Sequence, residues 1–152
     1  MFKYALTTLA AVAGALALPT AVQAEPVSFR ATLLVSCVIV VTDGVLAPNG
    51  DYTSLSSENV GGLPATAVVT ALGGSPRLTF TAPTITSSAD VSGVTPQIKY
   101  TSLGGANQPY TSSQTTYNQV GLLGTYTVNA QALKPSTFDA GNYTVGTVLT
   151  CS

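Results

Sequence analysis

Apolar and polar residues alternate along most of this chain with a period of two, the pattern of strands that bury one face. The longest run covers residues 29–41, where apolar side chains occupy the odd positions and Arg30, Thr32 and Ser36 lie on the other face. No window after residue 24 has the 3.6-residue period of a helix. Further strands are predicted at residues 65–72, 77–82, 84–91, 97–102 and 120–133, with a last strand that begins at Gly141.

Turn-forming residues such as glycine, proline, asparagine and aspartate separate these runs. They occur at residues 43–44, 48–51, 73–76 and 134–136. The short spacing between residues 65–72 and 77–82 predicts a hairpin. Residues 52–64 are expected to be a polar loop or a short irregular edge, and residues 103–119 the longest loop. Seven or eight strands with a turn about every ten residues predict one all-β antiparallel sandwich.

The N-terminus has the layout of a secretory signal peptide over residues 1–24. A lysine near the start is followed by an almost unbroken apolar stretch, and small residues precede a cleavage site between Ala24 and Glu25. A membrane anchor would need about 20 apolar residues without a cleavage site. We therefore expect a single domain over residues 25–152, exported to the periplasm, the cell surface or the medium. No membrane segment is expected after cleavage.

Charged residues are few in the exported chain, which carries four basic and six acidic side chains. A chain with this composition offers no basic patch for a phosphate backbone, so nucleic acid is not expected as a partner. Apolar content is high and net charge is low, which is the composition of a folded chain and not of a disordered one.

Residues that carry enzymatic chemistry are scarce. The chain contains no histidine, so the usual general base and the commonest metal ligand are missing, and no G-x-S-x-G motif is present. We expect a non-enzymatic protein without a cofactor. Asp43, Asp51 and Glu58 could converge on a calcium ion, although isolated loop acids are more often solvated. No motif supports a glycosidase built on two carboxylates.

Three tyrosines, Tyr52, Tyr110 and Tyr117, fall in predicted loops. Loop tyrosines can form an aromatic surface for a sugar or a protein, or they can cover the rim of the core. The first alternative would make the protein a self-contained secreted or periplasmic binding module.

The two cysteines, Cys37 and Cys151, can form one internal disulfide in an exported chain. Such a bond would close nearly the whole domain into one loop, which the chain-entropy model values at about 4–5 kcal/mol. The alternative is a lipid on Cys37, because the preceding residues Leu34, Val35 and Ser36 fit the small-residue pattern of lipidation. Lipidation would leave Cys151 as a free thiol.

Both ends of the exported chain resemble a known family. The first-strand stretch "VSFRATLLVSCVIVV", the following "NVGG" and the terminal "FDAGNYTVGTVLTCS" are similar to segments of chaperone–usher pilin subunits and of spore-coat-U-like secreted domains. The resemblance implies an incomplete immunoglobulin-like sandwich in a fimbrial subunit. A neighbouring subunit would supply the missing strand, after a periplasmic chaperone and an usher. The groove-side residues of the last strand would be Tyr143, Val145, Thr147 and Leu149, followed by Cys151.

The position of the second cysteine departs from that family, whose members mostly pair the first-strand cysteine with one in the next strand. Strands that flank a missing strand lie about 9.6 Å apart, twice the usual spacing. A disulfide needs Cα atoms roughly 4.4–6.8 Å apart. A bond between Cys37 and Cys151 should therefore cross between the two sheets or lie beyond the end of the groove.

Overall fold

The structure is a computed structural model that describes residues 30–31 and 36–152. The chain divides into one unit up to Ala31 and a second unit from Thr32 onward, and the fold described below belongs to the second. In residues 36–152 all regular structure is strand. The strands are β1 Ser36–Thr42, β2 Ala47–Pro48, β3 Ser54–Ser56, β4 Ala65–Leu72, β5 Arg77–Phe80, β6 Thr84–Ser87, β7 Thr95–Ser102, β8 Asn107–Thr111, β9 Thr115–Asn118, β10 Leu123–Leu133, β11 Tyr143–Gly146 and β12 Leu149–Cys151.

A seven-stranded antiparallel sheet is built around β4 and the long strand β10. β1 pairs with one edge of β4, where Cys37 lies opposite Ala71, and β10 pairs with the other edge. The far edge of β10 pairs with β7, which in turn pairs with β8. The edge of β10 that pairs with β4 continues past the end of β4, and there the last residues of β10 pair with the short strand β3. The other edge of β3 pairs with β2. β1 and β2 therefore follow the same margin of this sheet.

The other strands form a second antiparallel layer. β5 lies between β9 and β12, and β6 pairs with β11. Only a few residues separate β5 from β6, and only a few separate β11 from β12. The segment β5–β6 therefore pairs with the segment β11–β12 along its length, with one interruption. At this interruption the Thr81 N–H donates to the Val148 carbonyl at 3.0 Å. Pro83, which has no N–H to donate, also lies at this irregularity.

The main core forms where inward side chains of both layers meet. β4, β7 and β10 contribute from the first sheet, and β5 contributes from the second. The ring centroids of Phe80 and Tyr100 are 4.2 Å apart in a stacked arrangement, and both rings meet Tyr126 edge-on. A smaller cluster around Leu55, Ala132 and Phe138 lies beneath β11.

The prediction of an all-β antiparallel fold is confirmed. Twelve strand segments replace the seven or eight expected, because the predicted last strand is interrupted and the strands β2, β3, β8 and β9 lie outside the predicted strands. The predicted hairpin between residues 65–72 and 77–82 is wrong, because β4 pairs with β1 and β10, whereas β5 pairs with β9 and β12. The expected loop over residues 103–119 is wrong, since it contains β8 and β9. Strand was also expected at Arg30 and Ala31, which have no regular structure. The predicted signal peptide lies outside the described residues.

No helix in the described part of the chain has the length and apolarity needed to cross a bilayer.

Candidate functional site

An apolar groove of about 490 Å³ lies between β1 and the terminal segment β11–β12. Its walls belong to different sheets, because β1 is an edge of the first sheet and the terminal segment pairs with β5 and β6 in the second layer. One wall consists of Ile39, Val41, Val45 and Leu46, the other of Tyr143, Val145, Thr147 and Leu149, and the floor of Ala67, Phe80, Ile98, Val128 and Ala130. The groove thus leads directly onto the main core.

The backbone of β1 faces the groove at its odd-numbered residues. In β4, the Ala71 N–H donates to the Leu122 carbonyl, so the odd residues of β4 bond toward β10 and the even ones toward β1. Because Val40 lies opposite Val68 in the antiparallel register, the even residues of β1 pair with β4. Ile39 and Val41 consequently direct their N–H and C=O groups toward the groove.

The terminal segment has the same arrangement from the other side. Its even-numbered residues bond toward β5 and β6: the Asn142 carbonyl accepts from Ser88, and Ser152 exchanges both backbone bonds with Arg77 at 2.7 and 2.9 Å. The odd-numbered residues therefore direct their backbone groups to the opposite edge. Over residues 36–152, no strand pairs with that edge.

The odd-numbered residues of the terminal segment are the four that the sequence singled out as an edge for strand addition. Tyr143, Val145, Thr147 and Leu149 are all half-buried, and all line the groove. The Thr147 hydroxyl donates to the Thr81 carbonyl at 2.7 Å, so this polar side chain has a partner within its own layer.

One end of the groove lies beside the disulfide between Cys37 and Cys151, whose Cα atoms are 6.3 Å apart. Cys37 lies in β1 and Cys151 in β12, so the bond joins the two sheets, as one of the two expected arrangements requires. Neither cysteine lines the groove. The alternative of a lipid on Cys37 is wrong, because this sulfur is already bonded.

The opposite end of the groove runs past Gly44 into a second hollow. Val45 and Leu63 exchange backbone hydrogen bonds of 2.8 and 2.9 Å, and a Cβ on Gly44 would lie 2.6 Å from the Leu63 carbonyl oxygen. Only glycine permits this close approach. The second hollow, of about 640 Å³, shares Leu46, Tyr143 and Thr144 with the groove and is also lined by Pro48, Tyr52, Leu55, Phe138, Asp139, Ala140, Gly141 and Asn142.

The acids considered for calcium are not brought together. Glu58 accepts a 2.6 Å hydrogen bond from Lys99 and a 2.8 Å hydrogen bond from the Tyr110 hydroxyl. The bond from Lys99 is the main cause that lowers the pKa of Glu58 below its ordinary value, and the bond from Tyr110 lowers it further. Within residues 30–31 and 36–152, no three acidic or cysteine side chains form a group that could hold a metal ion.

The three tyrosines do not form a common loop surface. Tyr110 lies in β8 and Tyr117 in β9, where its hydroxyl donates to the Gly104 carbonyl at 2.6 Å. Burial is the main cause that raises the pKa of Tyr110 to about 12. Only Tyr52 remains in a loop, with an exposed ring and a backbone φ of 56°. The loop prediction is therefore wrong for two of the three.

Comparison with protein-family models, with curated proteins and with solved structures finds no match to this chain.

The sequence interpretation missed the β1 wall and the floor of the groove. The alternation assigned Ile39, Val128 and Ala130 to buried faces without indicating that the space above them is open. The sequence contained one signal for the groove. Cys37 and Cys151 lie on the apolar faces of the first and last strands, which indicates that these two faces come close together.

Proposed function

We propose that this protein is a non-enzymatic extracellular structural or adhesive subunit of the pilin-like, fimbrial kind. Its groove would bind a β-strand donated by a neighbouring subunit. The observation that carries the proposal is the pair of facing backbone edges, at Ile39 and Val41 on one wall and at the odd residues of the terminal segment on the other, above an apolar floor.

Strand addition uses both features of such a groove. A strand that enters it gains main-chain hydrogen bonds from the free edges, and its alternate side chains bury apolar area against the floor. Exposed strand edges favour unwanted pairing with other chains, so a secreted protein gains by having a specific occupant for them. A small-molecule pocket would have no need of two free backbone edges.

The strand order also supports the proposal. A constant-type immunoglobulin domain has strands ABED in one sheet and CFG in the other. Here β1, β4, β10 and β7 follow one another across the first sheet as A, B, E and D do, whereas β5–β6 and β11–β12 correspond to C and F. Within residues 36–152, no strand takes the place of G, beside the terminal segment. The fold we propose is therefore an immunoglobulin-like sandwich that lacks its last strand.

The proposed donor is the segment between the expected cleavage site and β1, residues 25–35 of a second copy. Its apolar residues Val27, Phe29, Ala31, Leu33 and Val35 alternate with others, as an inserted strand requires. From Val27 to Leu33 is six residue steps, the same number as from Tyr143 to Leu149 on the groove wall. Before assembly, a periplasmic chaperone would occupy the same groove, and an usher would guide export.

A self-contained binding module is the other candidate. One observation favours it: the exposed ring of Tyr52 lies beside the second hollow.

The test is binding of a synthetic peptide of residues 25–35 to the purified, oxidised protein. A ligand of the native state at 100 times its dissociation constant stabilises by about 2.7 kcal/mol, so the melting temperature should rise by several degrees. The matched control is the same peptide with Phe29→Asp and Leu33→Asp, which should give no shift. A stable monomer that ignores the unmodified peptide would overturn the pilin-like proposal and leave the binding module.

A further inference from the structure

We propose that the Cys37–Cys151 bond makes the groove one-ended and thereby fixes the direction and the depth of the inserted strand. This inference rests on the proposed function, because it concerns the strand that the groove would bind.

The separation of the walls decides where a strand fits. A strand between two flanking strands requires them to be about 9.6 Å apart. At the disulfide the two Cα atoms are 6.3 Å apart, so no strand passes between Cys37 and Cys151. From Ile39 and Leu149 onward the walls enclose the groove, which ends at the bond.

The other end imposes no such limit. Leu46, Tyr143 and Thr144 line both the groove and the second hollow, so the space continues at this end. An inserted strand can therefore be connected to the rest of its own chain only through the end near Gly44. The end of the strand that has no folded domain attached must point to the disulfide.

This asymmetry sets the direction of a donor whose domain follows its strand in sequence. The free N-terminus lies at the bond, and the chain leaves past Gly44. β1 runs from Cys37 toward the open end and the terminal segment runs toward Cys151. The donor strand is therefore parallel to β1 and antiparallel to the terminal segment.

Two fusions of residues 25–35 test the inference. A small folded carrier protein is joined directly after Val35 in one, and directly before Glu25 in the other. Binding to the oxidised protein is measured by calorimetry, beside the bare peptide. The carrier after Val35 should leave the affinity within about threefold of the bare peptide. The carrier before Glu25 should weaken it at least tenfold, because it has to lie where the groove is closed.

A long glycine–serine linker before Glu25 should restore binding, since it moves the carrier away from the bond. In the Cys37→Ser, Cys151→Ser double variant, the two direct fusions should bind with more similar affinities than they do in the oxidised protein. If this variant fails to fold, the comparison of the two fusions on the oxidised protein decides alone. Equal affinities for both direct fusions would overturn this inference and leave the proposed function intact. No binding of the bare peptide would overturn both.

Discussion

The hydroxyl of Tyr126 donates a hydrogen bond to Oε1 of Gln119 over 3.1 Å, and both side chains are buried. Nε2 of Gln119 donates in turn to the Gly121 carbonyl at 3.2 Å. The side chain of Gln119 thus ties the turn before β10 to the core. Such a hydrogen-bond network stabilises the fold only as long as each of its buried polar groups has a partner.

We expect Gln119→Leu to lower the free energy of unfolding by about 2 kcal/mol, because it leaves the buried Tyr126 hydroxyl without its acceptor. Tyr126→Phe should cost about 1 kcal/mol, since it removes one donor. Urea unfolding measures both. If the double variant costs as much as the two single variants added together, the two side chains do not act as one network.

The floor of the groove can be filled without disturbing the outer face of the same strand. Ala130 lies on the groove floor, whereas Thr127, also in β10, is exposed on the opposite face. Ala130→Trp should weaken binding of the peptide of residues 25–35 at least tenfold by occupying the space for its side chains. Thr127→Trp, the matched control, should bind as the unmodified protein does. Equal binding by both variants would place the peptide somewhere other than in the groove.

The disulfide joins residues 114 positions apart, so its removal should be costly. The Cys37→Ser, Cys151→Ser double variant should lose about 4–5 kcal/mol in the free energy of unfolding, the loop-entropy value for a loop of this size. Reduction of the unmodified protein should produce a similar loss. Thiol titration of the purified protein, denatured without a reductant, should detect no free thiol; two thiols would contradict the bond.

Stability should decline at high pH because of two tyrosines. Burial is the main cause that raises the pKa values of Tyr110 and Tyr126 to about 12 from an ordinary value of 10.0. Below pH 10 the hydroxyls are neutral in both folded and unfolded chains, so their contribution to stability is fully present. Between pH 10 and 12 the unfolded chain releases these protons first, and the contribution is lost. Urea unfolding at pH 9, 10 and 11 should show this decline, and Tyr110→Phe with Tyr126→Phe should make it shallower.

The sequence predicted the strands whose inward residues form the core. β4, β7 and β10 alternate apolar and polar residues because one face of each is buried, and a period of two records that difference. β8 and β9 were missed because they are edge strands, rich in residues such as Asn107, Gln108 and Thr116. Strands of this kind are held mainly by backbone bonds to β7 and β5, which leave no apolar period to detect.

The groove could be predicted only in part. The phase of Tyr143, Val145, Thr147 and Leu149 was legible in the sequence, because their side chains alternate with exposed ones. The opposite wall and the depth depend on which strands become neighbours. That choice is made by contacts between residues more than a hundred positions apart, and periodicity says which face is buried without saying what lies across from it.

The position of Cys37 directly after Ser36 has a mechanical consequence. If the protein assembles into a fibre as proposed, each subunit is pulled at two places. One is the point where its donor segment joins Ser36, and the other is the terminal segment, which would pair with the strand of the neighbouring subunit. Between these places the shortest covalent route runs through the bond to Cys151. Tension along that route bypasses the chain between the two cysteines, so stretching the fibre should leave the sandwich folded.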